Sequence, residues 1–246
     1  MSFQATEFEF RNRFWFISGI YALTFGFGSL DKTNAAEALT RYILSFGSHG
    51  TAINADSVAY ANAVRVIFSF GTLLLVLAAV VRSWATAFLK SGVVHDSNIH
   101  SETLVADGPY RHLRNPLYLG NILQSIGIGF LASRMGFVIL MLANTIFMIR
   151  LIGREEASLL QSQGESYRRY FEAVPRLVPS IRARVPGSGA RPNWRDGIFG
   201  EMFFWIFAAG MAVFTVTLNP IYFMIALATG FAIYFLQNYL RMGRVA

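Results

Sequence analysis

Hydrophobic positions in this chain come in long blocks separated by basic and turn-rich segments. Six blocks stand out, at 14–30, 58–81, 116–133, 135–152, 198–218 and 220–240. Each is close to the ~20 residues that cross a ~30 Å hydrocarbon layer as helix. The pattern predicts an all-α polytopic membrane protein with about six transmembrane helices. Arg65 interrupts the second block, so it must snorkel outward or face protein. Arg134 alone separates the third and fourth blocks and predicts a tight hairpin; Asn219-Pro220 joins the last two in the same way. Gly127 and Gly129, with Ser125, are spaced to let helices approach closely.

Between the blocks, "AAEALTRYILSF" within 31–57 reads as a short interfacial helix. Segment 154–174 is helical with a break at Gly164. Segment 180–197, basic and rich in Gly and Pro, reads as a mobile linker without a catalytic role. The expected organisation is therefore 1–57 as first span and outer loop, 58–179 as core, 180–197 as linker, and 198–246 as a C-terminal helical hairpin.

Composition supports a membrane setting: 54% of the 246 residues are hydrophobic and 14% charged, against about 25% charged in soluble domains. The net charge of +7 lies beside apolar blocks, which points to anionic lipid headgroups rather than nucleic acid. With no cysteine, disulfides, thiolate nucleophiles and zinc–cysteine sites are excluded. The first block has no clear cleavage site and is read as an uncleaved span. Lys32, Arg41 and Arg134 are the basic residues of one side, against sixteen on the other. This bias puts both termini in the cytoplasm, across a cell inner membrane.

Two clusters can carry chemistry. "DGPYRHLRNPLYLGN", 107–121, combines a Gly108-Pro109 turn with Asn115-Pro116, which reads as N-cap and first helical position. The free N–H groups there, with Arg111 and Arg114, suit a carboxylate or phosphate. Tyr110 and Tyr118 offer flat faces for an adenine or a cation. The second cluster, "GREEASLLQSQGESYRRYFEAVPRLVP", places Glu155 and Glu156 where the fourth block ends. Adjacent helical residues point about 100° apart, so one glutamate can face a pocket while the other pairs with an arginine. The hairpin brings Asn115 and Glu155 to one end and makes the two clusters a single site. S-adenosylmethionine, with its carboxylate, ammonium and adenine, fits such a site; so does a phospholipid headgroup. A basic aromatic collar and a solvated helix start would use the same residues without chemistry.

These two blocks resemble the isoprenylcysteine carboxyl methyltransferase and phospholipid methyltransferase superfamily of integral membrane enzymes over roughly residues 60–179. The resemblance implies S-adenosylmethionine bound near the cytoplasmic face and methyl transfer to a lipophilic acceptor from the bilayer. It implies cofactor contacts at Gly108, Tyr110, Arg111, Arg114, Asn115, Pro116, Tyr118, Leu119, Gly120, Glu155, Glu156, Tyr167 and Tyr170. Arg114, Glu155 and Glu156 are the expected catalytic residues. Asn115 stands where the family usually has histidine, so no imidazole is available there. Carboxyl O-methylation of the isoprenylcysteine type is the leading reading. Phospholipid amine N-methylation, NADPH-dependent sterol-type reduction, and a non-enzymatic scaffold or transporter are its alternatives. His112 and the pair His95/His100 match no standard metal site, and no metal is expected.

Overall fold

The computed structural model describes residues 3–47, 57–89 and 106–242. His95, His100 and Lys90 lie outside these residues. The described residues form helices joined by turns: α1 (Glu7–Arg11), α2 (Arg13–Gly26), α3 (Ala35–Gly47), α4 (Val58–Phe88), α5 (Pro116–Gly129), α6 (Arg134–Gln163), α7 (Glu165–Ala173), α8 (Trp194–Gly200), α9 (Met202–Thr217) and α10 (Pro220–Met242). Among the described residues, three helices are long and apolar enough to span a membrane, over Val58–Phe88, Arg134–Gln163 and Pro220–Tyr239; the pair α8–α9 makes a fourth if its bent halves are one span. The first and third expected spans are the shorter helices α2 and α5, of 14 residues each. At ~1.5 Å per residue, each is about 21 Å long.

Helices α4, α5 and α6 form the centre. Gly71 and Gly127 face each other where α4 crosses α5; a Cβ on Gly127 would sit 2.7 Å from the Gly71 carbonyl oxygen and 2.8 Å from Leu75 Cγ. Helix α5 is thus drawn against α4 by missing side chains, as the glycine spacing predicts. Ser125 joins the same seam, receiving a hydrogen bond from Asn144 Nδ2 at 2.7 Å and lying 2.9 Å from the Tyr21 hydroxyl. The hairpin turn is longer than Arg134 alone. Helix α5 stops at Gly129, and the Ser133 hydroxyl caps α6 by accepting from the Gly136 N–H at 3.1 Å. At this end Asp31 pairs with Arg134 at 3.2 Å, and Asn34 bridges Ser133. Arg65 is half-buried and donates to Asn62 Oδ1 at 3.0 Å, one helical turn away.

The opposite end of the hairpin holds the start of α5 and the end of α6, and the N-terminal segment lies against it. Thr6 caps α1 in a reciprocal capping box with Glu9, and Glu9 also pairs with Arg150 of α6 at 2.7 Å. Helix α6 runs on to Gln163 and breaks at Gly164, whose φ of +56° suits glycine. The fifth expected span is bent by 62° between α8 and α9, at Glu201.

Candidate active site at the joined ends of α5 and α6

The GPYR turn is held by a position only glycine suits. Gly108 has φ +55°, and a Cβ there would run into the Phe88 ring at the end of α4. The turn places Tyr110 and Leu113 inside and aims Arg114 at α6. Asn115 occupies the N-cap position of α5, and Pro116 is its first residue, as expected, but the Asn115 side chain makes no cap bond. Its amide instead donates to Glu156 Oε1 at 3.1 Å and to the Arg176 carbonyl at 3.2 Å.

Glu156 is the hub. It is 2% exposed, and a carboxylate buried so deeply must be paired. Arg114 Nε donates to Oε1 at 2.8 Å, and Arg176 Nη2 to Oε2 at 2.6 Å. Arg114 also donates from Nη1 to the carbonyls of Phe171 and Val174, and its guanidinium lies 4.0 Å from the Phe171 ring centroid. Its backbone N–H reaches the Pro175 carbonyl at 2.8 Å. The two sequence blocks are therefore one cluster, welded by a charged hydrogen-bond network.

Glu155 points elsewhere. It is half-buried and accepts from the Tyr118 hydroxyl at 2.9 Å. The adjacent glutamates diverge as their helical angle predicts, but the expected split between one pocket-facing and one arginine-paired carboxylate is not found. A cleft of about 320 Å³, lined in part by Phe3, Gly153, Leu160, Phe171 and Arg176, touches Glu156 rather than Glu155.

The remaining expected residues fall around this cluster. Tyr167 and Tyr170 are buried on α7, and the Tyr170 hydroxyl donates to the Tyr110 carbonyl at 2.9 Å. Burial raises the hydroxyls of Tyr110, Tyr167 and Tyr170 above the ordinary phenol range, so at neutral pH they remain neutral. Leu119 is half-buried one turn into α5, where its N–H bonds the Asn115 carbonyl at 3.1 Å. Gly120 leaves room for the alkyl stem of Arg82, which a Cβ would strike. Arg111 is engaged by protein, with Nε donating to the Val185 carbonyl at 2.9 Å.

That last contact revises the expected free linker. Ser180 and Arg184 donate backbone N–H bonds to the carbonyls of His112 and Arg111 at 2.9 and 2.8 Å. The Ser188 N–H and hydroxyl both bind the Asp107 carboxylate. The Ser188 hydroxyl is the leading cause that holds the Asp107 carboxyl below its ordinary value of 3.8. The segment straps the GPYR turn.

Sequence reasoning missed two groups. Arg176 is the second guanidinium on Glu156; its signal is the Pro175-Arg176 step just beyond α7. Arg82, one of the sixteen basic residues read onto the cytoplasmic side, is buried and paired at 2.6 Å with Glu201, which is 1% exposed.

Comparison with known proteins finds similarity over a segment that carries the core of both clusters. The phospholipid methyltransferase family matches residues 66–165, a region that includes the GPYR turn, Asn115 and both glutamates. The chain is 32% identical over 116 residues to a protein-S-isoprenylcysteine O-methyltransferase of Xenopus laevis, covering 46% of this chain and 40% of that protein. It is 32% identical over 94 residues to the Schizosaccharomyces pombe protein of the same name, covering 37% and 39%. It is also 26% identical over 116 residues to the cobalt-zinc-cadmium resistance protein CzcN of Cupriavidus metallidurans, covering 47% and 50%. The chain thus spans half or less of the length of these relatives. No solved structure matches it. Arg114 and Glu156, where the two motif blocks join in space, fall within residues 66–165, and the similarity supports a relationship to the isoprenylcysteine carboxyl methyltransferase and phospholipid methyltransferase superfamily.

Proposed function

We propose that this protein transfers a methyl group from S-adenosylmethionine to a lipophilic acceptor drawn from the bilayer, as a carboxyl O-methyltransferase of the isoprenylcysteine type. The observation that carries the reading is the convergence of Arg114, Asn115 and Arg176 on Glu156. It fixes the first turn of α5 against the end of α6. The donor set suits the cofactor. Glu155 supplies a half-buried carboxylate for an ammonium, and Tyr118 a ring beside it. The start of α5 supplies N–H groups for a carboxylate. Arg114 and Glu156, saturated by each other and by backbone, hold these groups in place rather than meet the ligand.

The bound cofactor supplies an electrophilic methyl group. The chain's share is alignment and exclusion of water, since a displacement needs donor and acceptor in line at near-attack distance. A carboxylate acceptor arrives ionised and needs no base. The Lys and Arg bias of the sequence favours a cytoplasmic position for this end.

A second reading, N-methylation of a phospholipid amine, is favoured by the family match itself. An amine must lose a proton, and Glu155 is the carboxylate placed to take it. Labelled methyl donor, purified protein and either a farnesylcysteine analogue or phosphatidylethanolamine vesicles separate the two. The first reading expects label that alkali releases as methanol from the farnesylated acceptor. Alkali-stable label in the lipid would establish the second. NADPH binding without methyl transfer would overturn both.

A further inference from the structure

The C-terminal helices lie beyond the family match, yet they reach the candidate site through one buried ion pair. Glu201 sits at the bend between α8 and α9. Its Oε2 accepts from Arg82 Nε at 2.6 Å, and its Oε1 from Arg82 Nη2 at 3.1 Å and from the Thr86 hydroxyl at 2.7 Å. The side chains of Arg82 and Glu201 are 9% and 1% exposed. The Arg82 guanidinium lies 4.1 Å from the Phe204 ring centroid on α9.

Only part of this guanidinium is spent on Glu201. Its Nη1 donates to the Leu117 carbonyl and to Asn121 Oδ1, each at 3.0 Å. Both acceptors are in the first two turns of α5, the turns that carry Tyr118 toward Glu155. Gly120 clears the passage for the Arg82 stem. Asn121 then continues the connection, because its carbonyl accepts from the Ser125 hydroxyl at 2.9 Å in the polar seam with Tyr21 and Asn144.

A fully buried Arg–Glu pair is a poor device for stability alone; apolar residues of similar volume commonly do as well. A planar guanidinium with a fixed fork is a good device for geometry, because every donor must find its acceptor at once. Here the fork joins three helices, α4, α5 and the α8–α9 bend. Further contacts hold the bend on the end of α4. The Trp205 indole donates to Ser83 at 3.0 Å, and Asn193 N–H to the Ala87 carbonyl at 2.8 Å. A Cβ on Gly197 would sit 2.5 Å from the Ser83 carbonyl oxygen.

We infer that Glu201 is a positioning residue of the methyl-donor site: acting through Arg82, it sets the first turns of α5, and the C-terminal helices thereby form part of the enzyme. The inference rests on the proposed function for its ligand, but its structural half can be read without one.

Two measurements on the full-length protein test it, on wild type, Glu201→Gln and the apolar double variant Arg82→Met/Glu201→Leu. The first is hydrogen exchange across 116–124 with no ligand present; the second is titration with S-adenosylhomocysteine. Both variants are expected to exchange faster in 116–124 while 134–146 at the far end of the hairpin is unchanged. S-adenosylhomocysteine affinity is expected to fall at least about tenfold, since small misplacements of binding groups are costly. The double variant is expected to recover the wild-type melting temperature without recovering affinity. Recovery of both would show that the pair only fastens helices and would overturn the inference. So would a folded Glu201→Gln protein with unchanged exchange and affinity. If wild type binds no S-adenosylhomocysteine, the methyl-donor reading fails, and exchange alone still decides whether Glu201 governs α5.

Discussion

Two buried Arg–Glu pairs flank the start of α5, and they differ in what surrounds them. Arg114–Glu156 has a second cation, Arg176, whose side chain is 43% exposed, and it opens onto a cleft. Arg82–Glu201 has one cation for one anion, a threonine and a phenylalanine around it, and almost no exposure on either side. The first joins residues 42 apart within one hairpin; the second joins residues 119 apart across three helices. The same chemistry thus serves an end that opens onto a cleft and an inner joint closed on every side.

The largest effect is expected at the hub of the first pair. Glu156→Ala leaves two guanidiniums and the Asn115 amide converging on nothing, which should cost about 3–5 kcal/mol. Thermal unfolding in detergent reads it directly, and a cost near that of an ordinary surface change would mean the network is loose. The next probes the second pair from its flank. Gly120→Ala forces the Arg82 stem aside, with an expected cost of about 1–3 kcal/mol. Its effect should shrink in an Arg82→Ala/Glu201→Leu background, which removes the Cγ and Cδ atoms the new methyl would strike, and a double-mutant cycle measures that.

Tyr170→Phe removes the hydroxyl that binds the Tyr110 carbonyl and nothing else, for about 1 kcal/mol. The smallest effect is local and depends on pH. The carboxyl of Asp107 is held below 3.8, so its grip on the 180–190 strap is complete above that pH and is lost as pH falls through the lowered folded value. The chain has no cysteine, so a spin label on Ala190→Cys, beside the contacts Asp107 makes, is unique. Its mobility should rise in acid with a midpoint below 3.8. In an Asp107→Asn background the label should be mobile at every pH. A midpoint above the ordinary value would contradict the sign.

The contrast also shows what was legible in the sequence. Apolar block lengths, turn dipeptides and the crowding of Arg, Tyr and Glu in 107–121 and 153–179 are signals carried by residue type. They gave the helical hairpin and the meeting of Arg114 with Glu156. The lengths of α2 and α5 were not legible, because apolar residues continue past the point where the backbone turns. Glu201 was missed because a lone glutamate at the head of "MFFWIF" looks like the polar edge of a span rather than a bend. The strap was missed because Ser180 and Arg184 bind through backbone N–H groups, which any residue supplies. Asn115 was read as a cap from its place before Pro116, while the buried charge of Glu156 claims its amide instead.

The central claim is that the joined ends of α5 and α6 hold a methyl donor. Its most direct test is calorimetric titration of S-adenosylhomocysteine into wild type and into Glu155→Gln, a change at the carboxylate that the Glu156 network leaves half-exposed. Saturable heat in wild type, with affinity at least about tenfold weaker in Glu155→Gln, is the predicted result for loss of a charge-assisted contact. No heat from wild type, or equal affinities in the two proteins, would contradict it.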